Sequence, residues 1–112
     1  MAATVASRFD LDRIFQALSD PTRRRILRQV ARSEMTVTDI AKPYRLTFAA
    51  ISKHLKVLAE ARLIDRRRDG VFQIVSLNPE ALKSADQWLA DYRRFWSIRL
   101  DALKDMLEKE EP

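Results

Sequence analysis

The stretch Thr36-Val37-Thr38-Asp39-Ile40-Ala41-Lys42-Pro43-Tyr44-Arg45-Leu46-Thr47-Phe48-Ala49-Ala50-Ile51-Ser52-Lys53-His54-Leu55-Lys56-Val57-Leu58 contains two helix starts in close succession. Thr36, with an acid three residues on at Asp39, has the form of a capping box, and Val37, Ile40 and Ala41 give a short helix one apolar side. Pro43 and Tyr44 close it after about two turns. Thr47 is the next N-cap, and from Phe48 to Leu63 the apolar residues Ile51, Leu55, Leu58 and Ala59 keep helical spacing. Only Lys42 to Arg45 separate the two helices, which is the pattern of a helix-turn-helix.

Upstream, Asp10 caps a first helix with Leu11, Ile14, Phe15 and Leu18 on one face. Asp20-Pro21 reads as N-cap and first position of a second, whose stripe Ile26, Leu27, Val30 runs to about Ala31. Downstream the period changes to two. Ile64–Arg68 and Val71–Leu77 flank Asp69-Gly70, read as a type I′ turn, so a β-hairpin is expected. Asn78-Pro79-Glu80 then opens a helix without a breaker before Pro112, about 45 Å long at 1.5 Å per residue. The expected fold is mainly α with a small β-hairpin: a winged helix-turn-helix of five helices plus wing. Residues 10–77 form the core with its wing, and 78–110 a long C-terminal dimerisation helix.

Composition narrows the chemistry. The chain has 112 residues, enough for one domain, with no cysteine, one histidine (His54) and one glycine (Gly70). These counts exclude a disulfide framework, thiolate metal sites, Gly-rich phosphate loops and multi-histidine sites, and no catalytic cluster is visible. No enzyme activity, cofactor or metal is expected. Met1 to Ser7 lack the form of a secretory leader and no long apolar run follows, so no membrane partner and a cytoplasmic setting are expected.

The net charge is +5, and it is uneven. Between residues 21 and 76, Arg23, Arg24, Arg25, Arg28, Arg32, Lys42, Arg45, Lys53, Lys56, Arg62, Arg66, Arg67 and Arg68 face only Glu34, Asp39, Glu60, Asp65 and Asp69. From residue 81 the signs nearly balance. One part of the chain thus suits a polyanion, and the other an interface between chains.

On a helical wheel with Ile51 at 0° and about 100° per residue, Leu55 and Leu58 mark the buried side. Ala49, Ser52, Lys53 and Lys56 then face outward, small, polar or basic as a major groove requires, with Ser52 and Lys53 the leading readers. Thr47 and Phe48 stand at the helix start; Phe48 either packs on the preceding turn or meets a thymine methyl. His54 lies beside the buried stripe, suited to structure or a flanking phosphate. Lys42 and Arg45 would position the backbone, and Arg66, Arg67 and Arg68 give the wing contacts to backbone or minor groove. Strand alternation allows at most two of these arginines on one face. Arg23 to Arg25 are a weaker candidate for phosphate contact.

In the last helix Leu82, Leu89, Trp96 and Leu103 form one heptad position, and Ala85, Tyr92, Arg99 and Met106 the other, with Trp88 and Phe95 widening the stripe. That exceeds what one small domain covers. A homodimer through Ala85, Trp88, Leu89, Tyr92, Phe95, Trp96 and Leu103, with Leu11 and Phe15 of the first helix, is expected.

Leu18-Ser19-Asp20-Pro21-Thr22-Arg23, Ile51-Ser52-Lys53-His54-Leu55-Lys56-Val57-Leu58 and Ala61-Arg62-Leu63-Ile64 together resemble the ArsR/SmtB family of winged-helix repressors, over Phe9 to about Leu107. The resemblance implies homodimers that bind imperfect palindromic operators in double-stranded DNA and block transcription until a signal, here unknown, releases them. In the resemblance, Thr36 and Thr38 stand where metal-sensing members carry cysteines, and the last helix has no histidine, so metal sensing is not implied. Arg62 stands where the family usually has Gly, which costs about 1 kcal/mol if the position is left-handed, or else marks a different turn. Trp88 with Tyr92-Arg93-Arg94-Phe95-Trp96 is similar to a metal-independent branch whose members are often autorepressors. A protein-interaction module that binds a partner protein through the winged helix and last helix is the alternative, and an activator would use the same DNA contacts.

Overall fold

A computed structural model of the chain describes residues 9–110; the reading of Met1 to Ser7 lies outside the described residues. The elements are α1 (Leu11–Leu18), α2 (Pro21–Arg32), β1 (Met35–Thr36), α3 (Val37–Ala41), α4 (Phe48–Glu60), β2 (Ile64–Asp69), β3 (Phe72–Leu77) and α5 (Pro79–Glu110). The caps act where the sequence puts them. The side chains of Asp10, Asp20, Thr36 and Thr47 each accept from backbone N–H groups of the first turns of α1, α2, α3 and α4, and Asn78 accepts from Glu80 N–H at the start of α5.

One core joins all these elements. Ile14, Ile26, Ile40, Ile51, Leu55, Leu58, Leu63, Ile64 and Val75 are fully buried in it, drawn from four helices, two strands and the turn between α4 and β2. The arginine run at the start of α2 serves this packing. Arg23 donates from Nε to the Ala17 carbonyl (2.8 Å) and from Nη2 to that of Gln16 (3.1 Å), and Arg24 Nη1 donates to Leu18 O (2.7 Å). Two arginines thus satisfy the orphan carbonyls that end α1, where a positive charge also complements the helix dipole. The third, Arg25, stacks on the Tyr44 ring at 4.9 Å.

The sheet differs from the sequence expectation in two ways. It has three strands, in the order β1-β3-β2, because Met35 and Thr36 pair antiparallel with Val75 and Ile74. The turn also sits one residue later. Ile64 pairs with Leu77 and Asp69 with Phe72, which leaves Gly70-Val71 as the loop, and Gly70 has φ +62°. Asp69 and Val71 do not share that sign, so the turn has positive φ only at its first central residue, as a II′ turn requires and a I′ turn does not. Burial of Ile64 and Val75 sets this register, and the turn residues follow from it.

Helix α4 ends at Glu60 rather than Leu63. Arg62 adopts φ +62°, its N–H donates to Ala59 O (3.0 Å), and Leu63 N–H donates to Leu58 O (3.0 Å). This is a Schellman closure with arginine in the left-handed position that glycine normally takes, and Leu63 packing into the core beside Leu58 holds it. The radius of gyration is 19.1 Å, against about 13 Å for a compact domain of this size. The excess comes from α5, 32 residues long, which packs on α1 at its start and then overhangs.

Candidate nucleic-acid interface

Three devices fix the helix-turn-helix. Gln29 on α2 donates from Nε2 to Ile40 O (3.2 Å) at the end of α3, while its Oε1 accepts from Tyr44 Oη (2.6 Å) in the turn. Burial raises the Tyr44 pKa above the ordinary phenol value, against the charge of Arg25. The third device is the buried stripe Ile51, Leu55 and Leu58 on α4. With that side fixed, Thr47, Phe48, Ala49, Lys53 and Lys56 are exposed and Ser52 is half-buried at the margin.

His54 turns inward. Its Nδ1 lies 3.3 Å from Arg23 Nη1 and 3.9 Å from Asp20 Oδ2, on the seam between α4 and α2. Asp20 is held below the usual carboxylate range, first by the Arg23 backbone N–H that it caps and then by the charges of His54 and Arg23, with burial opposing them. His54 therefore locks α4 to α2 and lies off the outward face.

The cations do not all remain free. Lys42 Nζ is 2.8 Å from Asp39 Oδ1, so the acid of α3's first turn holds it, and the pair lowers the one pKa and raises the other. Arg45 is exposed in the turn. On the wing, Arg66 and Arg68 stand opposite Val75 and Gln73 and so share one face, whereas Arg67, opposite Ile74, points to the other. Arg66 Nη2 donates to Gln73 Oε1 (2.7 Å). Arg67 forms a two-pronged pair with Glu34, which depresses the Glu34 pKa and raises its own. Arg67, expected on DNA, is occupied within the protein.

Wing and helix are neighbours: Thr36, Val37 and Thr38 at the start of α3, Phe48 at the start of α4, and Val71, Phe72 and Gln73 at the wing tip line one notch. Thr38, Val71 and Phe72 were not expected in the site on sequence grounds. A signal existed in Val71-Phe72, two consecutive apolar residues straight after the turn glycine, where a solvated tip would be polar.

Along α5 a second surface is exposed. Phe15 meets Trp88 edge-on at 5.6 Å, Trp88 stacks on Tyr92 at 5.2 Å, and Tyr92, Trp96 and Phe95 continue the chain of rings. Trp88 and Trp96 remain 45% and 44% exposed, and Leu89, Tyr92, Phe95 and Leu103 are exposed too. Ala85, expected in the seam, is buried in the protomer core, so the uncovered stripe starts at Trp88; Leu11 and Phe15 are half-buried beside it. Arg99 lies over the Phe95 ring at 4.5 Å, which accommodates a charge in an apolar row. Among the described residues no group of three or more His, Cys, Asp or Glu could hold a metal ion, and no helix is long and apolar enough to cross a membrane.

The sequence profile described as "Bacterial regulatory protein, arsR family" matches residues 20–66, from the cap of α2 into the wing. The chain is 37% identical to the transcriptional repressor SdpR of Bacillus subtilis, over 73% of this chain and 91% of that one. It is 34% identical to the HTH-type transcriptional regulator Rv2034 of Mycobacterium tuberculosis, over 88% and 90%. Among solved structures, the ArsR family transcriptional regulator RHA00566 superposes with a TM-score of 0.74 at 32% identity, covering 78% of this chain and 90% of that one. These relatives are named as regulators and repressors, not as enzymes. With its winged helix-turn-helix and long last helix, this chain belongs to the arsR family of bacterial regulatory proteins.

Proposed function

We propose that the protein is a homodimeric, sequence-specific repressor that binds an imperfect palindrome in duplex DNA over its own or an adjacent operon. The observation that carries this reading is the outward face of α4, where Ala49, Lys53 and Lys56 are exposed with Ser52 at their margin and the wing beside the start of the helix. Small residues admit the helix backbone to the major groove, and Ser52 and Lys53 offer donors to base edges. Arg45, Lys56, Arg66 and Arg68 are exposed cations that would contact phosphates. To enter successive major grooves, two protomers joined along Trp88 to Leu103 must hold their α4 helices about one DNA turn, roughly 34 Å, apart. Burial of the aromatic row supplies the reason to dimerise. Repression follows from occupancy of the promoter, and the setting is the cytoplasm, where the DNA lies.

Fluorescence anisotropy with the chain's own upstream DNA and an unrelated duplex, at two salt concentrations, tests this. Affinity several hundredfold higher for the upstream DNA, saturating at two chains per site, is the expected result. Equal and steeply salt-dependent binding to both would overturn it in favour of a module that binds a partner protein.

A further inference from the structure

One face of α2 carries three arginines that neither the core nor the reading surface uses. At about 100° per residue, Arg25, Arg28 and Arg32 fall within roughly 60° of one another, opposite the buried stripe Ile26, Leu27 and Val30. Helix α4 packs on the buried side, where His54 meets Arg23, so the three arginines are turned away from Ala49, Lys53 and Lys56. All three are exposed. Among the described residues, Arg28 and Arg32 have neither a hydrogen bond nor an ion pair, and Arg25 stacks on Tyr44. Like charges three and four residues apart on a helix repel, so the face costs the fold stability. The flanking acids are engaged elsewhere, Asp20 as the cap of α2 and Glu34 by both prongs of Arg67.

With Gln29, Ser33 and Met35 the arginines line an open groove of about 540 Å³, within the roughly 300–1,000 Å³ of small-molecule sites, and no carboxylate is among its lining residues. Spacing and chemistry define the occupant. Arg25 and Arg32 stand about 10 Å apart along the helix axis with Arg28 between them. A single phosphate does not serve all three guanidinium groups, whereas linked phosphates offer each a pair of acceptor oxygens. The Ser33 hydroxyl adds a donor, and half-buried Met35 an apolar wall for the rest of the molecule. Gln29 and Arg25 also touch Tyr44, so the groove borders the turn that sets α4.

We infer that this face of α2 binds a small organic diphosphate, at a site separate from the DNA surface. The inference stands apart from the DNA-binding reading above, because it uses none of the same side chains.

Calorimetric titration of the full chain with inorganic pyrophosphate at constant ionic strength tests it. One saturable site per chain is expected, with affinity about tenfold or more above that for orthophosphate. Arg28→Gln combined with Arg32→Gln should weaken pyrophosphate binding by about tenfold or more, whereas Arg66→Gln with Arg68→Gln, which removes the same charge from the wing, should change it by less than about twofold. Heat that does not saturate, equal affinity for the two anions, or equal loss in both double variants overturns the inference. So does a slope of log K against log salt for duplex binding that falls by about two in the α2 variant, because the arginines would then meet DNA phosphates.

Discussion

Arg67 and Glu34 face each other across the sheet with both prongs engaged, Nη1 to Oε2 at 2.8 Å and Nη2 to Oε1 at 2.7 Å. The pair spans β2, β3 and the residue just before β1, and it divides the three wing arginines into one held within the protein and two on the opposite face. Arg68→Ala is therefore expected to weaken binding to all duplexes alike and to flatten the slope of log K against log salt by about one, while Arg67→Ala changes the slope little. Glu34→Gln releases Arg67 and should steepen it. Equal slopes for Arg67→Ala and Arg68→Ala would show that both arginines meet phosphate.

Lys53→Ala is expected to lower affinity for a duplex selected by the purified protein from a randomised library about tenfold or more and to relax the preference at one position per half-site. Lys56→Ala should reduce affinity without altering preference. Selection repeated with each variant reads both effects, and an unchanged preference in Lys53→Ala would move base reading elsewhere on α4.

The helix period made this outward face legible, because Ile51, Leu55 and Leu58 identify the buried side without knowledge of the partner elements. Caps were equally legible, since Asp10, Asp20, Thr36 and Thr47 act within three residues. Strand β1 was not. Two residues are too few to show an alternation, and Met35 pairs with Val75, which no local pattern signals. The Arg67–Glu34 pair was hidden for the same reason, as it requires the third strand. The turn was misplaced by one residue because Asp-Gly is a strong local signal, yet the buried pairings of Ile64 and Val75 outweigh it.

Arg62 sits in the left-handed region at φ +62°. Arg62→Gly should be about 1 kcal/mol more stable than Arg62→Ala, because both lose the side chain and only the glycine relieves the backbone. Urea unfolding at fixed protein concentration measures the difference. Equal stabilities would mean that the Schellman turn relaxes at no cost.

If the protein dimerises along α5 as proposed, Trp96→Glu is expected to give a monomer and to abolish cooperative occupancy of two half-sites, since it puts a charge into the exposed aromatic row. Sedimentation equilibrium gives the mass. A dimer that survives both this change and Leu103→Glu would place the interface away from α5.

Asp20→Ala removes a cap and should cost about 1 kcal/mol at neutral pH. Because the folded state holds the Asp20 carboxyl below its usual value, its contribution is complete above the unfolded pKa and is lost as pH falls through the lowered one. The difference in melting temperature between wild type and Asp20→Ala should thus shrink below about pH 4. A constant difference would mean that the charge contributes nothing beyond the cap geometry.

Thr36 is at once the last residue of β1 and the N-cap of α3, so sheet and helix-turn-helix share a residue. By pairing Met35 with Val75, that two-residue strand closes a loop of thirty-nine intervening residues that includes α3, α4 and β2. Loop closure of this kind adds a contact distant in sequence to the packing of α4 on α1, α2 and β2, and so couples the order of these elements. The amides of α4 and of the central strand should accordingly exchange with solvent as a single cooperative unit, and those of the overhanging end of α5 much sooner. Exchange as one unit would mean that the outward face of α4 forms and is lost together with the sheet that flanks it.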